Sequence, residues 1–277
     1  MAKKRMTRDE ILVSAAAREI RDGDLVFVGQ GYPILAAIVA KKRHAPNALF
    51  MMEGGVVDFE PYRPPRHIAQ ANCARGASYY CDLIETFACH LRGGFVDVGF
   101  IGAAQLDKFG NVNSSYVGDL KKDPIRITGS GGAHEIGSFS NRTLILLRHG
   151  KFVEKLDYFT TPGYLTGHDL RREAGLPGGP AAVITTKGVF RFDEVTKEMY
   201  LESYHPGSTV DEIKAEIPWE LKVTSDLRRT PLPEDDEIEI MRDMAPLIAL
   251  GYGFTMQITV ENLMKFTRAP ATAAQST

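Results

Sequence analysis

Cysteine is scarce: Cys73, Cys81 and Cys89 are the only three in 277 residues. An odd, low count offers no disulfide framework, and the even spacing of the three matches no zinc motif. We expect reduced thiols in a cytoplasmic protein. Excess charge is lacking too. Thirty-three Lys and Arg face thirty-five Asp and Glu, for a formal net charge of −2. That balance argues against binding nucleic acid by bulk phosphate neutralisation. With 44% hydrophobic residues, it also argues against a disordered acidic chain. No apolar run approaches the roughly 18 residues a membrane span needs. The basic start, Met1 to Glu10, has no apolar stretch behind it and does not read as a secretory signal. The histidines His44, His67, His90, His149, His168 and His205 are scattered. His134-Glu135 is followed by Ser138 where the zinc helix motif needs a second histidine, so no metal centre is expected.

What the chain does have is an alternation of helical and strand patterns. Thr7 and Glu10 have capping-box spacing, Ile11, Ala15 and Ile20 follow at roughly helical intervals, and Gly23 is placed as a stop. Leu25 to Val28 is a short apolar run ending in Gly29. Ile34 to Ala40 reads as a second helix opened by Pro33, and Ala48 to Met52 as another apolar run, ending in Glu53-Gly54-Gly55. Leu83 to Leu91 looks helical; Val96 to Ile101 and Arg142 to Leu147 look like buried strands. This order predicts an α/β fold with an open, mainly parallel sheet and flanking helices. Ala181 to Tyr204 reads differently, as an antiparallel meander packed on that body. Pro233 to Asp236 opens an acidic first turn before a helix over Ile238 to Met244. With no repeat and no long linker, residues 1–277 read as one domain, with a core over about 7–245 and a frayed tail at 269–277.

The glycines gather just beyond apolar runs, where loops after strand C-termini form the ligand crevice of such sheets. Three features there bear on chemistry. Glu53, flanked by Gly54 and Gly55, could act as a general base or a nucleophile; it could equally be a turn residue. The Gly129-Ser130-Gly131-Gly132-Ala133 loop precedes a short helical stretch, and its backbone N–H groups suit an anion. It is neither a Walker A loop nor a dinucleotide fingerprint, and a generic turn explains it as well. Gly102-Ala103-Ala104-Gln105 carries the Gln105 amide to a strand end, where it could meet a carboxylate or carbonyl; the bland alternative is a tight crossing with Asp107 and Asn111 as turn residues. Arg63, Arg66, Arg171 and Arg172 could hold a carboxylate or phosphate, although surface arginines usually do not.

In order, Val28-Gly29-Gln30-Gly31-Tyr32-Pro33, Met52-Glu53-Gly54-Gly55, Phe100 to Ser114, Thr128 to Ala133, Lys155 to Gly163 and Lys187 to Asp193 resemble the beta subunit of a family I CoA-transferase, the glutaconate branch above all. The likeness spans about residues 7–245. It implies coenzyme A as a co-substrate with no tightly bound cofactor, and a short-chain or dicarboxylic acyl group. It also implies that Glu53 attacks the thioester and becomes a glutamyl-CoA thioester. The Gly129, Gly131, Gly132 and Ala133 loop would lie along CoA, the Gly102, Ala103 and Gln105 turn near the acyl group, and Gly29, Gly31 and Gly54 beside them. The implied partner is an alpha subunit, in a heterodimer or an α2β2 heterotetramer. One departure is visible: Gly54 stands where the glutaconate enzymes have serine. The family includes a decarboxylase and ring-opening hydrolases, which resemble this chain in fold but lack the matching glutamate.

Overall fold

The structure is a computed structural model and describes residues 6–29, 31–60, 65, 70–246 and 248. Gln30, Arg63, Arg66, His67 and the tail at 269–277 lie outside the described residues.

The first half alternates as its apolar runs predict: α1 (Arg8–Ala17), β1 (Leu25–Phe27), α2 (Tyr32–Arg43), β2 (Leu49–Met51), β3 (Val56–Val57) and β4 (Tyr79–Tyr80). A π-helical segment, Glu85–Leu91, precedes β5 (Val98–Gly102). Short strands β6 (Gln105–Leu106), β7 (Val112–Asn113), β8 (Tyr116–Val117) and β9 (Ile125–Arg126) lead to α3 (Ala133–Phe139), β10 (Arg142–Leu147) and β11 (Lys151–Phe152). Then come α4 (Leu170–Glu173), β12 (Pro180–Thr185), β13 (Gly188–Phe192), β14 (Met199–Tyr204), α5 (Val210–Ala215), β15 (Lys222–Arg229) and α6 (Asp235–Met244).

One ten-stranded sheet runs β15-β14-β13-β12-β10-β5-β1-β2-β3-β4. Its centre is parallel: β12, β10, β5, β1 and β2 all point the same way. Val26, Phe50, Phe100 and Leu144 face one core, under α1, α2 and α6. Their neighbours Phe27, Met51, Ile101 and Ile145 face the other, with Ile136 of α3 and Ile213 of α5. Strands buried on both faces have no polar side, which is why these runs read as continuous rather than alternating.

The meander is antiparallel, as expected, but it does not pack on the body. β12 pairs in parallel with β10, so β13 and β14 extend the same sheet. The pattern over Ala181 to Tyr204 specifies strands and not their neighbour, because the β10–β12 pairing is non-local.

The capping box is formed. Thr7 Oγ1 accepts from the Glu10 N–H at 3.2 Å, and Glu10 Oε2 accepts from the Thr7 N–H at 2.8 Å. α1 is buried nearly throughout, so its carboxylates need partners. Arg242 of α6 donates to Glu10 at 2.6 Å, and Arg148 forks onto Asp9 at 2.7 and 2.8 Å. Because the central strands are parallel, the segments after β1, β2, β5, β10 and β12 all emerge at one sheet edge, the place where open α/β sheets bind ligands.

Candidate active site

Glu53 occupies the turn between β2 and β3. The Gly55 N–H donates to the Met52 carbonyl at 2.9 Å, and the Met52 N–H to the Val56 carbonyl at 3.1 Å. Gly55 has φ +74°, and a Cβ there would run into the Cys81 carbonyl oxygen. Only glycine tolerates both demands. The Cys81 N–H closes the clamp on the Gly55 carbonyl at 2.8 Å. The turn after β2 is thus pinned, and it presents Glu53 half-buried with Gly54 exposed beside it.

The carboxylate meets the glycine loop. The Gly132 N–H donates to Glu53 Oε1 at 3.0 Å. A Cβ on Gly132 would lie 2.5 Å from that oxygen and 2.9 Å from Phe87 Cζ. Phe87 comes from the π-helical segment and packs on Phe27, with centroids 5.7 Å apart. The loop is tied down behind. The Gly129 N–H donates to the Ser114 carbonyl and Ser114 Oγ to the Gly129 carbonyl, both at 2.9 Å. Gly129 and Gly131 have φ +89° and +47°. In that conformation the Ser130 and Gly131 N–H groups have no protein partner among the described residues. Two free N–H groups beside a carboxylate suit an oxyanion that develops next to it.

A cavity of about 540 Å³ opens beside this loop. The Gly102–Gln105 turn, Ser114, Thr128 to Ser130, Ala133 and the His149–Lys151 turn line it. So Gly102, Ala103, Gln105, Gly129 and Ala133 come together as the sequence suggested. Gly131 and Gly132 adjoin through Glu53; Gly29, Gly31 and Gly54 are not in its wall.

The Gln105 amide is already engaged. It donates to Asp157 Oδ2 at 2.7 Å and accepts from Asn113 Nδ2 at 2.7 Å and the Asp157 N–H at 3.1 Å. It braces the wall and has little capacity left for a ligand. The Gly118 N–H, with Gln105, holds the Asp157 carboxyl below the usual carboxylate range. Asp107 and Asn111 are turn residues: Asn111 Nδ2 bonds Asp107 Oδ2 at 2.8 Å, and Asn111 Oδ1 accepts from the Gly163 N–H at 2.8 Å. Burial pushes the Asp107 pKa up against those bonds. Arg171 is not a ligand arm. It is 2% exposed, and its guanidinium donates to the carbonyls of Gly137, Ser138, Pro162, Gly163 and Pro177 at 2.7–3.1 Å. Arg172 pairs with Asp169 on the surface. Sequence reasoning missed Ser114, Ser130 and the His149–Lys151 turn. Their only signal was position, since the turn follows the strand Arg142–Leu147.

Comparison with known proteins bears on the whole arrangement. The coenzyme A transferase family model matches residues 10–216. The chain belongs to the coenzyme A transferase family. It is 35% identical over 248 residues to the B-type subunit of 3-oxoadipate CoA-transferase from Pseudomonas knackmussii, covering 88% of this chain and 95% of that one. It superposes on the crystal structure of glutaconate coenzyme A-transferase from Acidaminococcus fermentans with a TM-score of 0.80 at 33% identity, over 87% of this chain and 95% of the other. It also matches the decarboxylase AibA/AibB, with a TM-score of 0.74 at 26% identity over 87% and 96% of the two chains. In the family setting this chain is a beta-type subunit of a CoA-transferase. Among its described residues no helix is long and apolar enough to cross a membrane.

Proposed function

We propose that Glu53 is the nucleophile of a CoA-transferase that moves CoA from an acyl-CoA, short-chain or dicarboxylic, to a carboxylate acceptor. The observation that carries this reading is the Gly132 N–H on Glu53 Oε1 at 3.0 Å. One oxygen is held by the loop and the other is left to react. The Glu53 carboxylate attacks the thioester carbonyl, and the C–S bond breaks to give a mixed anhydride and CoA thiolate. The thiolate attacks the Glu53 carbonyl of the anhydride, releasing the first acid and leaving a glutamyl-CoA thioester. The acceptor carboxylate then runs the two steps in reverse. The free Ser130 and Gly131 N–H groups would hold the tetrahedral oxyanions. Water must be kept out, because either intermediate would hydrolyse.

Glu53 also favours transfer over the decarboxylase and hydrolase readings, in which it would be a base or merely polar. Coenzyme A enters as a substrate, beside the Gly129–Ala133 loop. An alpha-type companion completes the site, since the relatives are themselves one half of two-part enzymes; a heterodimer or an α2β2 assembly satisfies that. Residues 1–277 read as one domain because both cores flank a single sheet. The test is Glu53→Gln in the two-subunit enzyme, assayed with a panel of acyl-CoA donors. The reading expects transfer to fall by about a thousandfold or more with folding intact; normal transfer refutes it.

A further inference from the structure

A second cavity, of about 410 Å³, adjoins the first, and the two share the wall His149-Gly150-Lys151. It lies past the C-terminal ends of β10 and β12, over an apolar floor that includes Leu147, Phe152 and Phe190. Its rim is cationic: Arg148, Lys151 and Lys187 line it. Two of these are neutralised within the chain. Arg148 forks onto Asp9 at 2.7 and 2.8 Å, and Lys187 Nζ meets Glu216 at 2.6 Å. Lys151 has no ion pair among the described residues, and neither it nor the hydroxyl of Thr186, on the same rim, has a protein hydrogen-bond partner there.

We infer that this cavity is a carboxylate subsite, in which Lys151 and Thr186 receive the far end of a dicarboxylic acyl group whose thioester lies in the neighbouring cavity. The inference rests on the reading of that cavity as a CoA-thioester site. Charge count selects the ligand. After pairing, one positive charge remains, which matches one carboxylate and falls short of the several charges on the phosphates of CoA. Above an apolar floor a single charge-assisted contact is worth more than it is in open water. The shared turn gives the path. Gly150 packs against the Gly102–Gln105 turn so closely that a Cβ would reach the Ala104 carbonyl oxygen at 3.1 Å. A chain leaving the first cavity past this turn therefore meets Lys151.

Equilibrium binding of glutaryl-CoA and of valeryl-CoA, which has the same chain length and no second carboxylate, tests this on the two-subunit enzyme by calorimetry. Wild type is expected to prefer glutaryl-CoA. Lys151→Met should weaken glutaryl-CoA about tenfold more than valeryl-CoA, and Lys151→Arg should keep the preference. Equal weakening of both thioesters means that Lys151 holds CoA phosphates, and overturns the inference. A wild type without preference, or one that binds neither thioester, overturns it too. The readout is binding and not turnover. Failure of Glu53 as nucleophile would therefore appear in the transfer assay and leave the glutaryl-to-valeryl ratio standing.

Discussion

Glu53 and Gly132, far apart in sequence, meet through one hydrogen bond of 3.0 Å, and the missing Cβ of Gly132 is what gives the carboxylate its place. Gly132 has φ −78°, a conformation alanine adopts freely. Gly132→Ala should therefore fold, while its methyl displaces the carboxylate and presses Phe87. We expect kcat to fall roughly a hundredfold, as a small misplacement of a reacting group does, with thermal stability within about 1 kcal/mol of wild type. Kinetics on the two-subunit enzyme beside a melting curve separate the two effects; a fully active variant would show that Gly132 does not set the carboxylate.

Gly55→Ala should behave differently. Its φ of +74° and the Cys81 carbonyl both oppose a side chain. The expected loss is stability, by about 2 kcal/mol or more, together with activity. Urea unfolding measures it, and an unchanged midpoint would contradict the clamp.

Much of this was legible in the sequence. Thr7 and Glu10 announced α1 because a capping box is local chemistry, and the runs at Leu25, Ala48 and Arg142 announced β1, β2 and β10 because a doubly buried strand needs unbroken apolar side chains. Glu53 and the Gly129–Ala133 loop stood out for their glycines. What was not legible depends on distant contacts. The helical pattern of Leu83 to Leu91 did not show that Glu85–Leu91 is π-helical and aims Phe87 at Gly132. Gln105 looked free because Asp157 and Asn113, its partners, are brought to it only by the fold. Arg171 looked like a surface arginine for the same reason.

His205 should make stability depend on pH. It is fully buried; Nε2–H donates to the Thr185 carbonyl and Nδ1 accepts from Thr230 Oγ1, both at 2.9 Å, so the ring is held neutral. Burial above all, then the charges of Arg18 and Arg8, lowers its pKa from 6.5 to about 4. Between those values the unfolded chain binds the proton and the folded one does not. Stability from this group is thus complete above pH 6.5 and falls as pH drops toward 4, by roughly 3 kcal/mol in all. Urea titrations at several pH values should show that slope, and His205→Gln should flatten it; an identical slope in the variant would assign it to other groups.

Arg171 ties α3 to the loops at Pro162 and Pro177. Desolvation lowers its pKa to about 10 and still leaves it charged at neutral pH. Arg171→Ala would strand five carbonyls and should cost about 3 kcal/mol or more. Arg171→Lys, with fewer donors, should recover only part. A melting temperature equal to wild type for the alanine variant would contradict this role.

The central claim is a covalent one, and mass spectrometry reads it directly. The two-subunit enzyme is incubated with an acyl-CoA donor, quenched, digested and searched for the peptide that carries residue 53. CoA should be found in thioester linkage on Glu53, and hydroxylamine should convert it to the hydroxamate. The account is contradicted if the enzyme transfers CoA while the Glu53 peptide stays unmodified, or if the thioester forms on another carboxylate.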